Sequence, residues 1–189
     1  MHRSVLLPAL ATAALLWTHG SASGDDRLRR YELPDSDALE MTLPEGWVDR
    51  VDEQPGNAEI TIELRPEQGA GFEVYVTPQS SGQAPGRIED AETLRNAVRD
   101  AAQRLQAGSA AAAPEIRRMQ GTDGVGFYFL ATDPAPPDEY RHLVQGALLA
   151  GGLVLKFEIL THDEEDPAIA QALAMFQGAI HRDRGLGRP

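Results

Sequence analysis

Over much of this 189-residue chain, apolar and polar residues alternate with a period of two. Two stretches switch to helical spacing instead. Val125, Phe127 and Phe129 alternate with Gly126, Tyr128 and Leu130. Leu143, Gln145, Ala147 and Leu149 follow, then Leu153, Leu155, Phe157 and Ile159. Successive side chains of a strand point to opposite faces, so this spacing predicts three antiparallel strands in a meander. A helix carrying Ile169, Leu173, Phe176 and Ile180 on one side closes the stretch. Asp166 is placed to cap its free N–H groups, and Pro167 suits the first helical position.

The earlier chain reads as more sheet and one more helix. Ile60, Ile62 and Leu64 alternate with Glu59, Thr61 and Glu63, the mark of a strand over Asn57 to Arg65 with one wet face. Phe72, Val74 and Val76 repeat the pattern across a turn at Pro66 to Gly69, which predicts a hairpin. Ala38 to Leu43 is a short strand stopped by Pro44, and Tyr31 to Leu33 begins another. Glu45-Gly46-Trp47 reads as a turn and Gly24 to Arg30 as a polar tether. Ile88, Ala91, Leu94, Val98, Ala101, Ala102 and Leu105 recur at helical spacing, so a helix is expected over Ile88 to Ala107 with Gly108 as its stop. Glu115 to Gln120 adds a strand, and the tail beyond Ile180 has no periodicity and is expected to fray. The sum is one α+β domain over residues 31–181: a mostly antiparallel sheet of about six strands with helices packed on its faces.

Composition adds a compartment. Met1-His2-Arg3, an apolar run to Trp17 and the small residues Gly20 to Ser23 have the layout of a secretory signal peptide over residues 1–22. The apolar run is short for a membrane span, which takes about 20 residues, so no stable membrane insertion is expected after cleavage. The expected location is periplasmic or secreted. The chain has no cysteine, which removes thiol nucleophiles, disulfides and cysteine-type metal sites. A net charge of −12 argues against nucleic acid and anionic lipid surfaces as partners. Positive charge comes from arginine, apart from one lysine, Lys156.

The sequence Met41-Thr42-Leu43-Pro44-Glu45-Gly46-Trp47 follows the first strand. The strands at 124–131, 140–150 and 152–160 lead to a helix with Ala172-Leu173 and Phe176. This order resembles the PsbP/Mog-type fold, an α/β/α sandwich found in photosystem accessory proteins, a Ran-binding protein and bacterial exported proteins. The resemblance covers most of residues 31–181. Members of that group are generally non-enzymatic accessory, adaptor or chaperone-like proteins, so the resemblance implies a binding role without naming a partner. Together with the export signal and the lack of catalytic motifs, it leads to the expectation of an accessory protein that binds another protein in the cell envelope, with no cofactor expected. It carries no set of functional residues to particular positions.

Candidate chemistry is sparse. His142, His162 and His181 are not at helix-neighbour spacing, and there is no His-Glu-x-x-His motif. His162-Asp163-Glu164-Glu165-Asp166 is the densest ligand run, with His162, Asp163 and Glu165 as candidates for a divalent cation. The same run also reads as a solvated acidic helix start. Gly121, Gly124 and Gly126 precede a strand rather than a helix, so a hairpin turn fits better than a phosphate loop. Trp47, Tyr75, Tyr128 and Tyr140 are candidates for contact with a partner. Trp47 also reads as a core plug. Tyr75 and Tyr128 would be exposed if both helices covered one face of the sheet, and would be core if the helices lay on opposite faces. No nucleophile–base pair emerges, so binding is expected rather than catalysis. The runner-up is a small-ligand or divalent-metal-binding domain.

Overall fold

The computed structural model describes residues 26–33, 37–53, 60–68, 71–82, 88, 90–106, 114–132 and 140–183. The predicted signal segment and residues 184–189 of the tail lie outside them. Strands β3 (Trp47–Glu53), β4 (Ile60–Pro66) and β5 (Phe72–Ser80) form one antiparallel meander. Strands β6 (Arg117–Gly121), β7 (Gly124–Thr132), β8 (His142–Ala150) and β9 (Leu153–Thr161) form a second. Antiparallel pairing of β5 with β9 joins them into a seven-stranded sheet, ordered β3-β4-β5-β9-β8-β7-β6. Helix α1 (Ala91–Gln106) carries the chain from β5 to the far edge at β6.

A second sheet holds β1 (Arg27–Glu32), β2 (Ala38–Leu43) and β10 (Ile180–Arg182), with β2 in the middle. Together with helix α2 (Pro167–Gln177) it encloses the larger core, which includes Leu39, Met41, Ile62, Val74, Leu148, Phe157 and Phe176. Phe157 and Phe176 stack with ring centroids 4.5 Å apart, tying α2 to the centre of the large sheet. The opposite face of that sheet meets α1 in a smaller core of Leu94, Val98, Phe127, Phe129, Ala147 and Val154. The two helices therefore lie on opposite faces.

Local chemistry starts both helices. Asp90 accepts the Thr93 N–H at 2.7 Å at the head of α1, which holds its carboxyl below the usual range. Asp166 accepts the Ala168 N–H at 2.8 Å, with Pro167 behind it, as the sequence predicts. The 121–126 glycines form the β6–β7 hairpin, where Gly121 pairs with Gly124.

Three segments differ from the sequence expectation. The predicted sheet of about six strands is seven strands plus a separate three-stranded sheet. Arg27–Glu32 is not a tether but an edge strand, whose register runs from Arg27 opposite Leu43 to Glu32 opposite Ala38. Asp49 explains its docking and also the unpredicted strand β3. It stands at an inward position of β3, its side chain 5% exposed, and accepts Arg29 Nη2 at 2.8 Å and Arg27 Nη2 at 3.4 Å. A charged inward residue breaks the alternation that would have announced the strand.

The predicted fraying tail is likewise tied down through Arg182, because Ile180–Arg182 pairs with β2. Gly178 caps α2 before Ile180, so Ile180 belongs to a strand and not to the helix. His181 Nδ1 accepts the Gly152 N–H at 3.1 Å, which leaves Nε2–H to donate to Asp37 Oδ2 at 3.1 Å. One imidazole thus links the β8–β9 turn to the start of β2. Gly151, at φ 59°, makes that tight turn.

Candidate functional site

Among the described residues, the face of the large sheet that meets α1 is covered only in part. Helix α1 contacts β7 and β8, while the central strands β5 and β9 and the neighbouring β4 extend beyond it. The alternation that puts Val74, Val76, Leu155 and Phe157 into the larger core turns Tyr75, Thr77, Lys156 and Glu158 the other way. Cross-strand register sets them side by side: Tyr75 opposite Glu158, and Thr77 opposite Lys156. On the far side of β9, Gln145 stands opposite Glu158, and Ala147 opposite Lys156. The result is a half-open cleft of about 740 Å³ between a mixed sheet floor and the Ala97–Ala101–Arg104 side of α1.

Its lining is mixed. Phe129, Val154, Leu94 and Val98 back it on the α1 side but are buried in the smaller core. Thr61, Tyr75, Thr77, Gln145 and Glu158 line a polar part, with much of the hydrogen-bonding capacity already engaged. Gln145 Nε2 donates to Glu158 Oε1 at 2.8 Å, and the Thr61 and Thr77 hydroxyl oxygens lie 3.4 Å apart. The Tyr75 hydroxyl donates to Glu73 Oε2 at 2.7 Å; that bond, then partial burial, pushes its pKa up to about 12. Lys156 is half-buried, rises from the central strand β9 and has no hydrogen bond or ion pair among the described residues. Arg104 closes the helix side in the same unpaired condition.

Of the aromatic candidates, only Tyr75 lines the cleft. Trp47 is 4% exposed, edge-on to Phe72 at 5.7 Å, and its Nε1–H donates to Gln171 Oε1 at 2.8 Å, so it is a core plug. Tyr128 points to the opposite face of the sheet and packs partly buried against the larger core. Opposite-face helices were expected to make both Tyr75 and Tyr128 core. Tyr75 is not, because α1 stops short of β5.

Tyr140 stacks on His162 with centroids 5.4 Å apart, and Gly71, at φ 88°, leaves room for that imidazole where a Cβ would overlap it. His162, Asp163 and Glu165 are exposed, and the Asp163 carboxylate accepts the Glu165 N–H at 3.0 Å. Among the described residues, no group of three or more His, Asp and Glu side chains is arranged to hold a metal ion. No helix among them is long and apolar enough to cross a membrane. His142 is buried, its Nδ1 3.0 Å from the Thr132 hydroxyl.

Sequence reading missed the cleft residues Lys156 and Arg104. A signal existed for the first: the chain's one lysine lies between Leu155 and Phe157 in the middle of an apolar strand.

Two sheets with a helix on each face of the larger one define a mostly antiparallel α+β protein with a PsbP-like fold. The solution structure of cyanobacterial PsbP (CyanoP) from Synechocystis sp. PCC 6803 matches with a TM-score of 0.50, over 85% of this chain and 95% of that one, at 12% identity. Likeness at that identity is a likeness of fold. No protein-family model and no curated protein matches the chain.

Proposed function

We propose that this chain is an exported, non-enzymatic accessory protein of the cell envelope, an α/β/α sandwich of the PsbP/Mog type, and that the cleft is its recognition site. The cleft itself carries the reading. Its lining offers donors, acceptors and apolar surface to an occupant, and among the described residues no lining side chain is a serine or histidine that could form a nucleophile–base pair. In the first reading the occupant belongs to another envelope protein, in keeping with the accessory role that the fold resemblance implies. A small ligand is the second reading, favoured by a volume inside the roughly 300–1,000 Å³ range of small-molecule sites. Periplasmic or secreted location rests on the signal-like first 22 residues.

A photo-cross-linking residue at Ala97, in the cleft, tests this in the native envelope, with exposed Glu115 as the control position. One protein adduct specific to position 97 is the expected result. A mass increment of a few hundred daltons favours the small ligand. Equal labelling from both positions refutes the cleft as the recognition site.

A further inference from the structure

We propose that His181 is a pH-sensitive clasp. As a neutral ring it ties strand β10 both to the β8–β9 turn and to the start of β2; on protonation it releases the turn and keeps its hold on Asp37. The inference is independent of any reading of the cleft.

Geometry is the first argument. The His181 side chain is 11% exposed, and both of its ring nitrogens are engaged. A backbone N–H can only donate, so the bond from Gly152 at 3.1 Å makes Nδ1 an acceptor, which requires the neutral ring. Nε2 then carries the hydrogen that Asp37 Oδ2 accepts at 3.1 Å. The turn fits closely around this ring: a Cβ added at Gly151 would stand 3.1 Å from His181 Cβ, and one at Gly152 would stand 3.3 Å from His181 Cε1. The same turn is a junction, because the Ser81 N–H donates to the Gly152 carbonyl at 2.9 Å and the Gly151 N–H donates to the Asp123 carbonyl at 3.3 Å. Of these three contacts, only the one to His181 passes through a titratable side chain.

Charge is the second. A proton added at Nδ1 turns the acceptor into a donor that faces another donor, so the bond to Gly152 is lost. The bond to Asp37 becomes an ion pair and tightens. The two ring contacts therefore respond in opposite directions to the same proton. Gly152 is exposed, so water can take over its N–H and the change needs no unfolding. Asp37 is the charged side chain that meets the ring, which has no further hydrogen bond or ion pair among the described residues. On β10, Arg182 turns to Glu40 on the other face of the strand, and Asp183 is exposed. The turn itself carries no charge, the hairpin beside it brings the exposed Asp123, and α2 ends in uncharged Gln177. Imidazoles in general change charge between about pH 5 and pH 8, in a range where carboxylates and guanidiniums ordinarily do not.

The test is two-dimensional NMR of the chain from Gly24 onward, titrated from about pH 8 to about pH 5. Ring-nitrogen shifts of His181 are expected to show Nδ1 bare and Nε2 protonated at the upper end. As the ring takes up its proton, the Gly152 amide should move upfield, and its protection relative to the intrinsic exchange rate should fall roughly threefold or more. Amides of β10, still held through Asp37 and Glu40, should keep theirs. Asp37→Asn keeps an acceptor for Nε2–H but removes the charge, so the Gly152 change should move to lower pH by roughly half a pH unit or more. His181→Gln should abolish it. A ring with the opposite tautomer, a ring that stays neutral down to about pH 5, or a Gly152 amide unmoved while His181 protonates overturns the inference. So does a Gly152 change that follows His142 or His162 instead, or one that survives in His181→Gln. Should either variant fail to give a native-like spectrum, the wild-type ring and amide titrations decide by themselves.

Discussion

Gly146 is where the packing of the large sheet is most sharply testable. It lies on β8 in the interior of the sheet, between β7 and β9. A Cβ added there would stand 2.5 Å from the Phe127 carbonyl oxygen, 2.6 Å from Phe157 Cζ and 2.6 Å from Tyr128 Cβ. One of these is backbone of a paired strand, and another is a ring wedged against Phe176, so neither yields cheaply. Overpacking of this kind costs about 1–3 kcal/mol. Replacing glycine by alanine also returns about 0.4–1 kcal/mol by narrowing the unfolded ensemble. With three overlaps the upper end applies, so Gly146→Ala is expected to destabilise by about 2 kcal/mol, a fall in Tm of roughly 4–8 °C for a chain of this size. Gly82→Ala is the matched control: among the described residues nothing lies within 4 Å of its added Cβ, so only the entropic gain remains. Calorimetry of both variants, with urea titration to confirm an unchanged m-value, measures the difference. Trimming the ring in Gly146→Ala/Phe157→Leu should recover part of the loss, a coupling that a double-mutant cycle isolates. A Gly146→Ala Tm within about 1 °C of wild type, or equal shifts in the two glycine variants, would refute the close approach of β7, β8 and β9 described above.

Three further outcomes are expected. Trp47→Phe should cost about 1–2 kcal/mol through loss of the hydrogen bond to Gln171, and Trp47→Ala about 3–5 kcal/mol through an additional cavity at Phe72; urea titration followed by circular dichroism reads both, and tolerance of the alanine would contradict a core role. Tyr75 has a folded pKa raised to about 12 by Glu73, so its contribution is complete below the ordinary tyrosine value near 10 and fades as pH rises through about 12. A tyrosinate absorbance titration should show that late step and should move it earlier in Glu73→Gln. Glu40 is held below its usual range, first by the hydrogen bond from Arg182 and then with help from Arg30, so its contribution is present above about pH 4.5 and fades as pH falls through the depressed folded value. Amide protection in β10, taken relative to the intrinsic exchange rate at each pH, should fall over that acidic window, and Glu40→Gln should flatten that fall; an unchanged protection profile in the variant would assign the effect to another group.

Much of this architecture was legible because side-chain period is a local property. The runs at Ile60 to Leu64, Phe72 to Val76 and Leu153 to Ile159 alternate over many residues, and each became a strand of the large sheet. Asp166 and Pro167 announced α2 by themselves, because a cap needs only its own helix. Strands β3 and β10, and β1 ahead of Tyr31, escaped because charged residues hide their period and the ion pairs that order them join positions far apart in sequence. Arg27 and Arg29 are ordered by pairing with β2 and by an inward Asp49 some twenty residues on, and Arg182 by Glu40, 142 residues away.

The sequence by itself determined the two periodicities, the cap of α2, the acidic and cysteine-free composition, and hence an α+β class with a mostly antiparallel sheet and one wet strand face. Only the tertiary structure decided which face stayed open. That depended on α1 covering β7 and β8 but not β5, a matter of where a helix lands on a sheet, which no local spacing encodes. The same placement turned Trp47 into core, left Tyr75 beside the opening, and put Lys156 and Arg104, 52 residues apart, on opposite walls of one cleft.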